Sequence, residues 1–466
     1  MIYFAHAVGP ATLGIYYLFL AYFGIFNLIG EGGLGGAAVK KISEGIEQNE
    51  YFTAFIGLRI AFFATSIAVL FLVEPYITDL TDSGMFLWLL LTLLVAVFLN
   101  TIVNGVYGCG KVGINQISTV FTHITQLTVQ ITAVFLGFGA AGLAGGFITG
   151  MVVGGLVNLR YLDLHFARFR ALHVKNLFTF SFWIFLTATG SLVFTYADTI
   201  FISYFMTAKD VGIYRAAFQL TLLATFVTTT LRTVLYPKIS RWRARGDFEL
   251  IETALARGFT YSLLLAIPVC VGGWLLGDHL LYYLYGAAFA EGATVLTLLF
   301  LVQVANVFMF LGTMSLNALG HPKDSFKATG LAASVNILFD LLLIPVFGIT
   351  GAAMATFIAI TLNAFLAIRA LRRTTKVGLE SAALGHILIA TVGMSVAIVL
   401  FRSFVPMSHV LVVLGCVILG ALIYVYLILI LDTGIYSELQ NLARQLGAPW
   451  PKWLQMISGH LNDFEN

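Results

Sequence analysis

The chain is a succession of apolar runs, each about as long as a bilayer core is thick. They lie near 13–38, 51–73, 84–107, 117–137, 140–159, 177–206, 211–236, 255–277, 292–318, 327–347, 350–371, 382–403 and 408–431. A helix rises about 1.5 Å per residue, so roughly 20 apolar residues cross a hydrocarbon core of about 30 Å. Backbone groups in lipid find no water to bond, so a run of this length must bond within itself as a helix. Hydrophobic residues make up 59% of the 466 and charged residues 10%, against about 25% charged in typical soluble domains. The expected fold class is an all-α polytopic membrane protein with about 13–14 transmembrane helices. Residues 1–8 are apolar but too short to cross, and read as the end of an earlier helix, so a truncated first span is expected.

Basic residues set the orientation. Alternate connections carry Lys40 and Lys41; Lys111; Arg160, Arg168, Arg170 and Lys175; Lys238, Arg241, Arg243 and Arg245; Lys323 and Lys327; and Arg369, Arg372, Arg373 and Lys376, about two-thirds of the 25 lysines and arginines. The intervening connections hold Lys209 and Arg402 with the acids Glu74, Asp79, Asp82, Asp210, Asp278 and Glu291. Lys- and Arg-rich connections stay in the cytoplasm, which predicts a multi-pass protein of the cell membrane whose first full span runs inward from Leu13 to Lys40 and Lys41.

A motif occurs twice in the same direction. Leu13-Gly14-Ile15-Tyr16 leads through an apolar run to Lys41-Ile42-Ser43; about 198 residues on, Val211-Gly212-Ile213-Tyr214 leads to Lys238-Ile239-Ser240. Gly108 and Lys111 recur as Gly320 and Lys323, and Phe138, Gly139 and Gly142 as Phe347, Gly348 and Gly351. Parallel duplication predicts two six-helix repeats around a central cavity: an N-terminal lobe over 1–160, a cytoplasmic linker over 161–175 and a C-terminal lobe over 176–372. Two extra helices over 382–431 follow. The cytoplasmic tail over 432–466 spaces Leu439, Leu442 and Leu446 as an amphipathic helix and adds Trp450 and Trp453, which suits an interfacial helix.

Polar side chains at membrane depth usually face protein or water. His123, Gln126 and Gln130 share one helical face, and Gln126 and Gln130 map at the repeat offset onto Asn336 and Asp340. Such a stripe either lines a lumen or bonds helices within a lobe. Arg59 and Arg232 lie well inside their spans, whereas Arg215 and Arg257 sit near span ends, where they could snorkel. A guanidinium stays charged and matches phosphate oxygens with a fork of donors, so Arg59 and Arg232 suggest an anionic, phosphate-bearing substrate; a local ion pair with Glu31 or Asp198 is the other reading. Asp198, Asp340 and Glu31 are candidates for ion coupling by H+ or Na+, with helix-to-helix hydrogen bonding as the structural alternative.

Other chemistries find little footing. Cys109, Cys270 and Cys416 are far apart with no CxxC spacing, the histidines do not cluster, and no Walker A, GxSxG or HExxH sequence occurs. The glycine-rich stretch from Glu31 to Gly36 lies in a span with no strand before it, and reads as a packing or hinge element. No cofactor, metal or nucleic-acid partner is expected.

Ordered segments resemble a known group. VGPATLGIYYLF from Val8, YADTIFISYFMTAKDVGIYRAAFQL from Tyr196, LRTVLYPKISR from Leu231, YGAAFAEGATVLTLL from Tyr285 and ALGHPKDS from Ala318 look like landmarks of the polysaccharide and O-antigen (lipid-linked oligosaccharide) flippases, within the multidrug/oligosaccharidyl-lipid/polysaccharide exporter superfamily. The resemblance implies two six-helix lobes, often with two further C-terminal helices, in a topology whose N- and C-termini are cytoplasmic. It implies a transporter rather than an enzyme, moving polyprenyl-phosphate- or polyprenyl-diphosphate-linked glycan from the inner to the outer leaflet by alternating access, among membrane lipid and other glycan-assembly proteins. It also implies cationic cavity residues for the lipid phosphate, a role that falls on Arg59 and Arg232. A drug/cation antiporter of the same superfamily and a membrane-embedded glycan polymerase are the alternatives.

Overall fold

A computed structural model describes residues 1–376, 378–437 and 440; the interfacial helix expected around Leu439, Leu442, Leu446, Trp450 and Trp453 lies outside the described residues. The helices run in the order α1 (Ile2–Glu31), α2 (Leu34–Ser43), α3 (Gln48–Val73), the short α4 (Thr78–Asp82), α5 (Met85–Gly108), α6 (Val112–Phe135), α7 (Gly139–Leu159), α8 (Ala171–Phe205) and α9 (Ala208–Thr221). They continue as α10 (Phe226–Arg245), α11 (Phe248–Tyr285), α12 (Ala293–Ala318), α13 (Pro322–Phe347), α14 (Ile349–Leu371), α15 (Ser381–Phe404) and α16 (Val410–Leu431). No strand occurs among the described residues. Among the described residues, eleven helical segments are long and apolar enough to cross a bilayer; α6 is of similar length, its apolarity diluted by glutamines and threonines.

Two expected spans are broken. The run over 13–38 divides at Gly32 and Gly33, whose φ of 56° and 73° are left-handed and end α1 as they start α2. A side chain at Gly33 would meet the Ser181 carbonyl of α8 at 2.4 Å, so this glycine serves close packing as well as the turn. The run over 211–236 is interrupted by a 3-10 turn over Leu222–Thr225. Residues 2–8 are helical and join the rest of α1 through Gly9, with φ 75° and ψ 175°, followed by Pro10.

The chain forms two compact units. The first comprises Met1–Ala216 and Ala333–Thr356. Its core includes Leu34, Ile42, Phe52, Phe55 and Leu177, brought together by α2, α3 and α8. Lipid tails are as apolar as leucine, so membrane helices associate by close packing rather than by escaping water. The glycines of α7 supply that closeness: a Cβ on Gly146 would lie 2.4 Å from the Gln130 side chain, and one on Gly150 2.7 Å from the Thr122 carbonyl. The two copies of the duplicated motif also meet here. A Cβ on Gly14 would fall 1.6 Å from the Ala208 carbonyl oxygen, and one on Gly212 2.0 Å from the Pro10 carbonyl oxygen. Each motif glycine thus leaves room for the backbone beside the other copy.

Residues 162–170 carry no regular structure and are pinned to the first unit. The Asn49 side-chain oxygen accepts from the His165 amide at 3.0 Å and Thr53 Oγ1 from the Ala167 amide at 3.0 Å. Lys111 pairs with Asp163 and donates to the Tyr161 carbonyl. Glu47, itself left-handed at φ 50°, receives Arg170 at 2.5 Å and the His173 ring at 2.9 Å. The hydrogen bond to His173, aided by the Arg170 charge, holds the Glu47 carboxyl below its ordinary range.

The second unit comprises Ala217–Ala332 and the chain from Phe357. One core gathers Leu235, Ile251, Phe259, Leu311 and Ala367 from α10, α11, α12 and α14. A second joins Leu276 of α11 to Ile387, Met394, Cys416 and Ile428 of α15 and α16. The last two helices are tied to α11 by Tyr424, whose hydroxyl donates to the Leu264 carbonyl at 2.7 Å, and by Arg402, which donates to that of Leu275.

Two outcomes follow. Gly212→Val should separate α9 from Pro10, seen as faster thiol labelling of a cysteine placed at Ala11 in membranes, with no comparable change for Gly113→Val, where a side chain meets open space. The depressed Glu47 carboxyl favours the folded linker at neutral pH, and that contribution is lost as pH falls through the folded value. Proteolysis of the segment over 162–170 should therefore rise on acidification below about pH 4, and Glu47→Gln should be cut readily at all pH values.

Candidate functional site

The richest concentration of buried polar groups lies inside the first unit, where α8, α9, α13 and α14 bring together Asp198, Tyr214, Asn336, Asp340 and Thr356. All five are buried, with Asn336 and Asp340 at 0% exposure. Asp198 Oδ2 accepts from the Tyr214 hydroxyl and, at 2.7 Å, from Thr356 Oγ1. Asp340 and Asn336 stand beside Asp198. Asp198 Oδ1, both carboxylate oxygens of Asp340 and both amide atoms of Asn336 make no hydrogen bond.

Leaving a buried polar group without a partner costs about 1–3 kcal/mol, and more for a charged group. Two abutting carboxylates out of water also repel, and both can ionise only if a cation sits between them; otherwise they must hold a proton. The oxygens of Asp198, Asn336, Asp340 and Thr356 offer a hard, all-oxygen ligand set from three helices. The arrangement can take up a small cation or a proton.

Of the residues singled out in the sequence, the structure brings together Asp198, Asn336 and Asp340. Tyr214 and Thr356 were not singled out. Tyr214 had a signal: it is the tyrosine of the second motif copy, and its counterpart Tyr16 also meets a polar residue. Gln130, the repeat equivalent of Asp340, donates to the Tyr16 hydroxyl at 3.0 Å and to the Leu143 carbonyl at 2.9 Å. The first copy thus holds a neutral amide whose nitrogen donates twice, where the second holds an acid without a hydrogen bond. Thr356 carries no such mark, because threonine is common in spans.

The other polar candidates lie elsewhere. Gln126 is half-buried against Gly150 of α7, and His123 is exposed on α6. Arg59 is a second buried feature of the first unit: it is 1% exposed, its Nε donates to the Val97 carbonyl at 3.3 Å and its Nη1 lies 3.9 Å from Glu31. Neither terminal nitrogen makes a hydrogen bond. Glu31, at the Gly32–Gly33 break, is the counter-charge within reach. Arg215 donates to the Thr195 carbonyl at 3.0 Å and lies against the rings of Tyr17 and Tyr196. In the second unit, Arg232 is exposed on α10 and lines a cleft of about 480 Å³ with Thr229, Thr233, Tyr236, Met314 and Asn317. Its guanidinium lies 5.5 Å from the Phe310 ring, a cation–π contact that leaves the in-plane donors open. No group of three or more metal-ligating His, Cys, Asp or Glu residues occurs among the described residues.

The fold and site define a helical multi-pass membrane protein with acids and an arginine buried at membrane depth. The comparisons narrow it. The family model described as "Polysaccharide biosynthesis protein" matches residues 4–294, and the chain belongs to that family. It is 24% identical over 442 residues to the probable low-salt glycan biosynthesis flippase Agl15 of Haloferax volcanii, covering 95% of this chain and 94% of that one. Its fold matches that of lipid II flippase MurJ in an inward closed conformation, with a TM-score of 0.71, 19% identity and coverage of 96% of this chain and 100% of that chain. It also matches an inward-facing multidrug resistance MATE family transporter of the MOP superfamily, with a TM-score of 0.66, 16% identity and coverage of 80% and 96%. The flippase resemblance of the sequence motifs and the all-α membrane fold are borne out.

Tyr214→Phe should destabilise the protein by about 1–3 kcal/mol, the cost of withdrawing the donor from a buried carboxylate. Asp340→Asn, which removes one of two abutting acids, should instead raise the melting temperature. Thermal unfolding in detergent at neutral pH distinguishes the two signs.

Proposed function

We propose that this protein flips lipid-linked oligosaccharide or polysaccharide precursors from the inner to the outer leaflet of the cell membrane by alternating access. The observation that carries the reading is Arg59, a permanently charged group buried in a membrane chain with its terminal donors unbonded. Such a group is costly in hydrocarbon and suits a phosphate-bearing ligand. The family and a glycan flippase relative aligned along nearly the whole chain support the same reading.

In this reading the phosphate or diphosphate of a polyprenyl carrier binds Arg59 and, at another stage, Arg232, whose cleft in the second unit holds open donors beside threonine hydroxyls. The sugars follow a polar pathway to which His123 and Gln126 contribute, while the polyprenyl tail stays in lipid. That pathway removes the cost of dragging charge and hydroxyls through hydrocarbon. The segments 1–160 and 176–372 are the two repeats of this reading, joined by a cytoplasmic linker, with the termini of the family topology in the cytoplasm. Asp198 and Asp340, with Asn336 and Thr356, take up H+ or Na+ to couple the cycle, and Glu31 acts as the counter-charge that holds Arg59 when no phosphate is bound. No covalent bond is made or broken.

The test is translocation of a fluorescent polyprenyl-diphosphate oligosaccharide in proteoliposomes. Arg59→Ala and Arg232→Ala should each slow it at least tenfold, about the worth of one charge-assisted hydrogen bond, while Asp340→Asn should abolish the response to an imposed ion gradient. Normal flipping in both arginine variants, or elongation of the glycan by the purified protein, would overturn the reading.

A further inference from the structure

The cytoplasm-rule basic residues are not spread evenly at the end of α14. Two hollows of the second unit meet there, sharing Arg369. One is a groove of about 440 Å³ between α12 and α14, walled by Ala305, Phe308, Ala364, Phe365 and Ile368 and closed at one end by Arg369 and Arg372. The other, of about 240 Å³, lies between α13 and α14 and is lined by Lys327, Arg369 and Arg373 with the apolar Leu331 and Leu366.

Three observations bear on what fits. The groove is apolar along its length and cationic only at its mouth, so an occupant must be apolar along most of its length with an anionic end. From Thr361 to Arg372 the helix advances about 16 Å, close to half of a hydrocarbon core of about 30 Å; the groove is therefore about one leaflet deep. Its cations are uncommitted: none of Lys327, Arg369, Arg372 and Arg373 forms an ion pair among the described residues, and Asp324 at the edge of the second hollow faces His321 at 3.9 Å. Arg369, Arg372 and Arg373 are all exposed, as is Phe365 in the wall.

We propose that this end of α14 holds an anionic phospholipid of the adjoining leaflet, one acyl chain in the groove between α12 and α14 and the phosphate on Arg369 and Arg372. Lys327 and Arg373, on the far side of Arg369, receive a second anionic oxygen of the headgroup. The lining of the site shares no residue with Arg59, Arg232 or the carboxylate pair, and it does not depend on which lipid the protein flips. A bound lipid here would wedge α12 against α14 and keep four positive charges from repelling one another.

Native mass spectrometry of the full chain, released from nanodiscs of phosphatidylglycerol or of phosphatidylcholine, tests it. Retention of phosphatidylglycerol in preference to phosphatidylcholine is expected. A basic side chain near the membrane surface contributes about a fivefold change in anionic-lipid affinity, so R369Q/R372Q should lower retention about thirtyfold. R241Q/R245Q, which removes the same charge from the basic end of α10, should leave it within about twofold. Thr361→Trp alters an exposed position, fills the groove and keeps every arginine; it too should release the lipid. Equal retention of the two lipids, equal loss in R241Q/R245Q, unchanged retention in Thr361→Trp, or full displacement by millimolar inorganic phosphate would each overturn the assignment.

Discussion

Hydrocarbon gives a polar group nothing to bond, and this one constraint organises the molecule. It forces the backbone into helices, which bond within themselves, and it makes each buried polar side chain costly until a partner answers it. Most are answered. Gln130 is bonded to Tyr16 and to Leu143, Asn158 to Ser118 at 2.6 Å, and Gln303 to Thr221 at 2.9 Å. Among the buried atoms left without a hydrogen bond are the terminal nitrogens of Arg59, Asp198 Oδ1, both carboxylate oxygens of Asp340 and the side-chain amides of Asn336 and Asn363. Arg59, Asp198 and Asp340 are the ionisable residues in that set, and for a charged group the cost of a missing partner is greatest.

The same constraint explains why glycine does so much of the packing. Without a hydrophobic drive between helices, contact energy comes from surfaces brought within van der Waals reach, and small residues allow this. Along α7, glycines at 142, 146, 150 and 154 seat α6 so closely that a methyl group at any of them would collide. The paired glycines 14 and 212 do the same for the duplicated motif, each beside backbone next to the other copy. A contact made of backbone and missing side chains is tight without interlocking side chains.

Duplication explains the asymmetry of the candidate site. Tyr16 with Gln130 and Tyr214 with Asp198 and Asp340 are variants of one arrangement, a motif tyrosine bonded to a polar partner in the unit's interior. In the first copy the partner is a neutral amide and the arrangement is a brace. In the second, two acids stand together in the interior, where their charges repel.

Apolar run length determined the class of fold, because only helices of about that length satisfy a backbone in lipid, and every run is found in helical structure. The acids and Arg59 were visible for the same reason: a charge inside a span is rare enough to mark itself. Spacing along the chain could not decide which of them meet. Asp198 and Asp340 are joined by the tertiary fold alone, Tyr214 and Thr356 entered the site only when α8, α9, α13 and α14 were assembled, and His123 and Gln130 share a calculated helical face yet differ in burial. Helical periodicity describes one helix and its directions, whereas a site is made where several helices cross, and that crossing is decided by packing between segments more than a hundred residues apart.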